Sequence, residues 1–416
     1  MTKQATSTLV IGAGIVGVSA ALWLQRAGHS VTLLDRIGPA GGTSHGNAGV
    51  LASGAVVPVT VPGLLTKAPR MLLDPDQPLF LKWGYLPRLT PFLAKYLKNG
   101  REAQVQRASH ALTELLHDSP EQHLALARDT PAAAYVKPGS YLFGYTDKAA
   151  FEADAYGWNI RRQRGYAYHE LTAQQMQDHD PALAGRFGYG VDCPGHGQIT
   201  DPGAYVAALA DHFVANGGTL QIGELMDFDL GDGAAVAAIT DTGRIAADSY
   251  VLTTGAWSGP LARKLGIAVP LESERGYHIE FVNPSITFRS PVMVAAGKFV
   301  ATSMNGRLRC AGIVEFGGLS NPPSRAPFDL LKRQVARLFP DLTCDDTVEW
   351  MGHRPATSDS IPVIGATPGA ANVFVGYGHH HIGLTGGPKT GRWLAQMISG
   401  QPVNTDLSAF SPDREA

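Results

Sequence analysis

Gly12, Gly14 and Gly17 spell a GxGxxG turn, and an acid, Asp35, follows eighteen residues after the last of them. That order suits a dinucleotide. Gly12 makes a tight turn, Gly14 lets backbone N–H groups approach a pyrophosphate, and Gly17 allows close helix packing. A carboxylate at Asp35 can accept hydrogen bonds from a ribose diol. A second group of residues could hold a small acid and work on its neighbouring carbon. Arg354, in a Gly-His-Arg-Pro run, offers a carboxylate two parallel charged hydrogen bonds and so a fixed orientation. Tyr277 and His278 follow Arg275 and Gly276, and His379, His380 and His381 stand in a row. In an extended stretch His379 and His381 share one face, where neutral imidazole could meet an amine. Plainer readings exist: Arg354 closing an ion pair with Asp359, and Tyr277 as a core aromatic. No cysteine or acid stands at ligand spacing from the histidines, so no metal site is expected.

The elements around the first motif form a βαβ unit. Ser7 to Ile11 reads as a buried strand, Val16 to Ala27 as a helix stopped by Gly28, and Ser30 to Leu34 as a second strand ending at Asp35. NAD and FAD both fit such a unit. With no second GxGxxG in the chain, one dinucleotide is expected. The loop from Gly41 to Gly49, holding Ser44, His45 and Asn47, offers donors for a second contact with that cofactor or is a surface loop. Residues 136 to 145, 187 to 199, 275 to 282 and 299 to 316 have strand or hairpin patterns, and Pro202 to Asn216 reads as a helix ended by Gly217 and Gly218.

The chain has 416 residues, 34 basic and 36 acidic side chains and 44% hydrophobic residues, enough for a large core and two domains. A net charge of −2 without a basic run argues against nucleic acid as a partner. Cys193, Cys310 and Cys344 are far apart and form no CxxC pair, which favours a reducing cytoplasm. Neither a secretory signal nor a membrane span is expected. The stretch from Val50 to Gly100 mixes apolar runs with Pro58, Pro62, Pro69, Pro75, Pro78, Pro87 and Pro91, so it is not one long helix. Its Lys67, Arg70, Lys82, Arg88, Lys95 and Lys98 would suit a lid or a peripheral membrane contact. A proline-broken packing segment is the favoured reading.

GAGIVG, the acid of LLDR, GGTSHGNAG, TTGAWS at 253 to 258, GHRPATSDSIPVIG at 352 to 365 and GHHHIGLTGGPKTG at 378 to 391 together resemble the D-amino acid oxidase superfamily. Within it the bacterial D-amino acid dehydrogenases and glycine oxidase are the nearest match. The resemblance implies an α/β fold: a discontinuous Rossmann-type FAD-binding domain (1–75, 198–262, 346–416) and an α+β substrate domain on an antiparallel sheet (76–197, 263–345). It places Gly12, Gly14, Ile15, Val16, Gly17, Asp35, Arg36, Ser44, His45, Asn47, Gly49, Leu51, Met226, Gly255, Trp257, Gly352, Gly378, Gly383, Leu384 and Thr385 at FAD. Arg354 takes the substrate carboxylate, with Tyr277, His278, His379 and His381 around it. Backbone donors from Gly383 to Gly387 approach the pyrimidine end of the flavin, ahead of a helix from Lys389 to Ile398 opened by Pro388. Gly46 occupies the place where related enzymes carry a flavin-linking histidine, so noncovalent FAD is expected, although His45 is adjacent. The activity implied is oxidation of a D-configured or achiral amino acid to an imine and then a 2-oxo acid, with a quinone or electron-transfer protein as acceptor. Alternatives are a cyclic or secondary amino acid such as D-proline, D-hydroxyproline or sarcosine, glycine, or a flavin- or NAD-binding protein without turnover.

Overall fold

The computed structural model describes residues 6–63 and 78–416. Apolar side chains run almost without alternation through Ser7–Ile11, the pattern of a strand covered on both faces. It lies inside a six-stranded sheet ordered Val363–Thr367, Ala370–Tyr377, Ser249–Leu252, Ser7–Ile11, Ser30–Asp35, Thr219–Ile222. Every pairing is parallel except that of Val363–Thr367 with Ala370–Tyr377. Helix Ile15–Arg26 connects the two central strands, one residue ahead of the expected start, and Gly28 turns the chain at φ 89°. Strand, turn and helix meet so closely because Gly12 adopts φ +105° and a Cβ on Gly17 would stand 1.8 Å from the Gly12 carbonyl oxygen.

The second sheet has ten strands. Its main path runs Asp346–Thr357, Leu271–Val282, Arg307–Phe316, Phe299–Met304, Val292–Val294, Val136–Tyr145, Tyr189–Ile199, Val50–Leu51. Most pairings are antiparallel; Val292–Val294 joins Val136–Tyr145 in parallel. The strands expected near 136–145, 187–199, 275–282 and 299–316 are all present, as is helix Pro202–Ala215. Two segments that the sequence grouped with the nucleotide-binding unit, Val50–Leu51 and Asp346–Thr357, are strands of this large sheet. Conversely, Val105, Leu112, Leu115 and Leu126, from helices Glu102–Leu116 and Ser119–Ala127, share a core with Val10, Val16 and Leu394 beside the parallel sheet.

The proline-rich stretch includes a thirteen-residue helix, Leu86–Lys98, which accommodates both Pro87 and Pro91. Leu89, Phe92 and Tyr96 form its buried face and pack with Phe316 and Ala356, while Arg88, Lys95 and Lys98 are exposed. Burial at i, i+3 and i+7 makes this part a packing helix. Lys67, Pro69, Arg70, Pro75 and the expected domain boundary at 75 lie outside the described residues. Among those described, no helix is long and apolar enough to cross a membrane.

The Gly12–Gly17 contact leaves no room for a methyl group. Gly17→Ala is expected to cost about 1–3 kcal/mol through overpacking and to weaken cofactor retention. Thermal denaturation and the flavin-to-protein absorbance ratio after gel filtration check this; an unchanged ratio and melting temperature would show that the crossing tolerates a Cβ.

Candidate active site

A cleft of about 400 Å³ opens at the C-terminal ends of the parallel strands, where open α/β sheets take their ligands. Gly12, Gly14, Ile15, Val16, Asp35, Arg36, Ser44, Asn47, Met226, Gly255, Trp257, Gly383 and Leu384, all expected at the cofactor, line it. Gly14 stands at the N-terminus of helix Ile15–Arg26 and has no side chain of its own to cap it. Ile15 N–H donates to Ser44 Oγ at 3.0 Å, and the other donors of the first turn are left for an anion. Asp35 does more than await a ribose: Oδ2 accepts from Ala13 N–H (2.7 Å), and Oδ1 from Ile37 and Gly38 N–H (2.9 and 3.0 Å). The carboxylate therefore ties the glycine turn to the following loop, and Oδ2 keeps a lone pair for a sugar hydroxyl. The Arg36 guanidinium lies 4.1 Å from the Trp257 ring centre, and Trp257 meets His353 edge-on.

At the other end of the cleft stands the N-terminus of helix Gly383–Ile398. The helix begins five residues before the expected start at Pro388, which lies inside it. Proline cannot donate to the Leu384 carbonyl; buried His123 does so instead through Nε2 at 2.9 Å, while its Nδ1 accepts from the Tyr205 hydroxyl at 2.9 Å. Ser119 Oγ donates to the next carbonyl, Thr385, at 2.8 Å. The early start keeps the N–H groups of Gly383, Leu384 and Thr385 as first-turn donors. Leu384 lines the nucleotide cleft and Thr385 a second, larger cavity. The positive end of the helix thus sits where the two meet, suited to stabilise negative charge on a reduced flavin.

The larger cavity, about 980 Å³, is mainly apolar and shares Thr43, Asn47 and His380 with the nucleotide cleft. Arg354 lines it. Strand alternation brings Glu274 to the same face, because Glu274 and Arg354 are register partners on adjacent antiparallel strands. Arg354 Nη1 donates to Glu274 Oε1 at 3.0 Å. Burial alone would raise the Glu274 pKa, but Arg354, His380 and His381 outweigh it and hold the carboxyl below its ordinary range. The guanidinium lies over Gly276, where an added Cβ would come within 2.5 Å of Nε. Nε and Nη2 have no protein partner among the described residues and remain free to grip a carboxylate. Asp359, the alternative partner suggested by sequence, is held by Arg414 at 2.9 Å.

The histidines separate. His380 sits at φ 47°, so the run is a turn and not the extended stretch in which His379 and His381 would share a face. His379 lines the nucleotide cleft, its Nε2 2.9 Å from Thr390 Oγ1. His381 keeps an exposed side chain and lines the large cavity. Desolvation by the cavity walls, then Arg354, push its pKa down to about 4, so it stands neutral beside the arginine. His380 Nε2 accepts from Thr357 N–H at 2.9 Å, which leaves Nδ1 4.0 Å from Glu274 Oε2.

Tyr277 and His278 occupy opposite faces of their strand, as alternation requires. Tyr277 borders the cavity, but its hydroxyl turns away: it donates to Glu315 at 2.7 Å, accepts from Ser324 N–H at 3.1 Å, and the ring packs edge-on against Phe328. Burial and Glu315 push that hydroxyl up to about 12. His278 lines neither cavity; it stacks on Trp350, and its Nδ1 lies 3.0 Å from the Gly46 carbonyl oxygen. Of the two, Tyr277 therefore borders the cavity of Arg354 with its ring, whereas His278 stands outside both cavities. Gly352 lines the large cavity, whereas Gly49, Leu51 and Gly378 line neither; Leu51 is fully buried in the core. His45 also lies outside both, its ring over Gly203 and 6.3 Å from Trp350. Glu274 was missed from sequence, though its place two residues before Gly276 on a strand was a usable signal. Arg161, Tyr166 and His196, brought to the cavity from outside every motif, gave none.

A family model described as "FAD dependent oxidoreductase" matches residues 7–397. The chain belongs to this family, and its cofactor is FAD. It is 39% identical to a D-amino-acid oxidase of Bradyrhizobium diazoefficiens over 97% of this chain and 98% of that one. It is 32% identical to a D-amino acid dehydrogenase of the same organism, over 98% of each. The crystal structure of glycine oxidase from Geobacillus kaustophilus shares the fold, with a TM-score of 0.74 at 21% identity, covering 100% of both chains.

Burial holds His123 at about 4, and His278 and His379 at about 3, against an unfolded value near 6.5. Above that value both states are neutral; below it the unfolded chain binds more protons, so stability must fall with pH until the folded groups titrate. The melting temperature is expected to drop by at least ~5 °C between pH 7 and pH 4. A flat profile would mean that these imidazoles are not buried neutral.

Proposed function

We propose that this chain oxidises a D-configured or achiral amino acid at its α-carbon, giving an imine that water hydrolyses to a 2-oxo acid and ammonia or an amine. The observation that carries the reading is Arg354: a guanidinium in an apolar cavity beside the nucleotide cleft, with one nitrogen on Glu274 and Nε and Nη2 open. A carboxylate bound side-on there is fixed in two directions. Its α-carbon is then held in one orientation, and remote binding serves the reacting bond. The apolar walls disfavour an ammonium, so the amine is held neutral and keeps the lone pair that an imine needs. His381, neutral at ordinary pH, can accept from that amine. FAD held in the nucleotide cleft by the glycine turn, Asp35 and the start of helix Gly383–Ile398 would supply a two-electron acceptor for the α-hydrogen as hydride. The relatives named oxidase and dehydrogenase of D-amino acids support the substrate class. FAD is held without a covalent bond, a reading supported by glycine at position 46 and by His45 lying outside both cavities.

Anaerobic mixing of the flavoprotein with D- and L-amino acids, glycine, sarcosine and both prolines tests this through flavin absorbance. D-forms or achiral compounds should bleach the flavin and L-forms should not; bleaching by L-forms alone would refute the reading. Arg354→Lys should raise KM and lower kcat/KM by about tenfold or more with flavin retained, and unchanged kinetics would remove Arg354 from the site.

A further inference from the structure

Four of the arginines that point inward among the described residues have an acidic partner. Arg275 pairs with Glu315, Arg309 with Glu280, Arg414 with Asp359 and Arg354 with Glu274. Arg161 lines the large cavity half-buried, yet it forms no ion pair among the described residues. One of its five N–H groups, on Nε, donates to the Gly54 carbonyl oxygen at 3.1 Å. Its guanidinium lies 4.7 Å from the Trp158 ring centre and 5.4 Å from that of Phe143. Asp154, the carboxylate in electrostatic range, is exposed and accepts the Tyr145 hydroxyl at 3.2 Å.

Such a cation is out of place in an apolar wall unless something anionic comes to it. The aromatic shelf fixes its plane, and the Gly54 carbonyl fixes its rotation, so the remaining N–H groups are preorganised. Arg161 and Arg354 stand at opposite ends of the cavity floor: Phe143, beneath Arg161, is on Val136–Tyr145, and four strands separate it from Asp346–Thr357, which carries Arg354.

We propose that Arg161 forms a second anion subsite that receives an acidic group on the far end of the substrate side chain. The inference rests on Arg354 as the α-carboxylate site. Arg354 orients the reacting carbon; Arg161 selects what the side chain carries. An amino acid with a second carboxylate satisfies both cations, whereas a neutral side chain of equal length leaves Arg161 unmet.

The test compares kcat/KM for acidic D-amino acids of increasing length with uncharged partners of matched size: D-aspartate with D-asparagine, D-glutamate with D-glutamine, D-2-aminoadipate with its 6-amide. The wild-type holoenzyme is expected to prefer the acid by about tenfold or more at the length that spans the cavity. In Arg161→Met that ratio should fall to near one, and in Arg161→Lys it should be reduced without vanishing. No preference for an acid at any length in the wild type overturns the subsite, and so does a preference that survives in Arg161→Met. The wild-type series decides the matter even if a variant fails to fold. If no amino acid of any kind bleaches the flavin, the reading of Arg354 has failed; if neutral D-amino acids bleach it and acids gain nothing, only the subsite has.

Discussion

A guanidinium sunk into an apolar cavity must be opposed by charge, and the site is organised around how far that opposition goes. Glu274 neutralises Arg354 through a single nitrogen at 3.0 Å. A full bidentate lock would spend the fork that a carboxylate needs, and no acid at all would leave the charge uncompensated. The pairing is built into strand register: Glu274 and Arg354 are direct cross-strand neighbours, and Gly276 clears the space over which the guanidinium lies flat. His380 and His381 come to the same carboxylate from the turn before the C-terminal helix, so that turn, the sheet edge and the helix N-terminus are positioned together.

Two further constraints bring the nucleotide to this place. The Gly12–Gly17 approach sets the first helix against the central strand, and Asp35 then ties the glycine turn to the loop beyond the second strand. Farther along, Pro388 removes one helical hydrogen bond, and His123 takes the Leu384 carbonyl it leaves, with Ser119 donating to the next carbonyl. The C-terminal helix can therefore begin at the cleft itself, with its first-turn donors facing the junction of the two cavities.

How much of this was legible in the sequence follows from the range of the interactions. The βαβ unit was readable almost to the residue because each of its signals is local: apolar run, glycine spacing, helix stop, terminal acid. Strand positions in the large sheet were also readable, since period-two patterning is local. Sheet membership was not, and Asp346–Thr357 illustrates why: its motif resembles nucleotide-binding sequence, but its hydrogen bonds go to Leu271–Val282. Tyr277 and His278 were taken together where alternation sends their side chains to opposite faces. The three histidines were read as extended, and the left-handed turn at His380 is set by contacts with Thr357 and Pro355 that no local signal reports. Arg161 lies in a short helix without a motif, and only tertiary structure reveals that its charge has no acidic partner among the described residues.

The most direct measurement is a spectral titration of the oxidised holoprotein with benzoate, a carboxylate that carries no oxidisable amine, in wild type and in Arg354→Met. Saturable perturbation of the flavin spectrum in the wild type, weakened by about a hundredfold in the variant, is the result predicted if the open side of Arg354 holds a carboxylate against the flavin. Equal affinity in the two proteins would contradict it and move the anchoring cation elsewhere in the cavity.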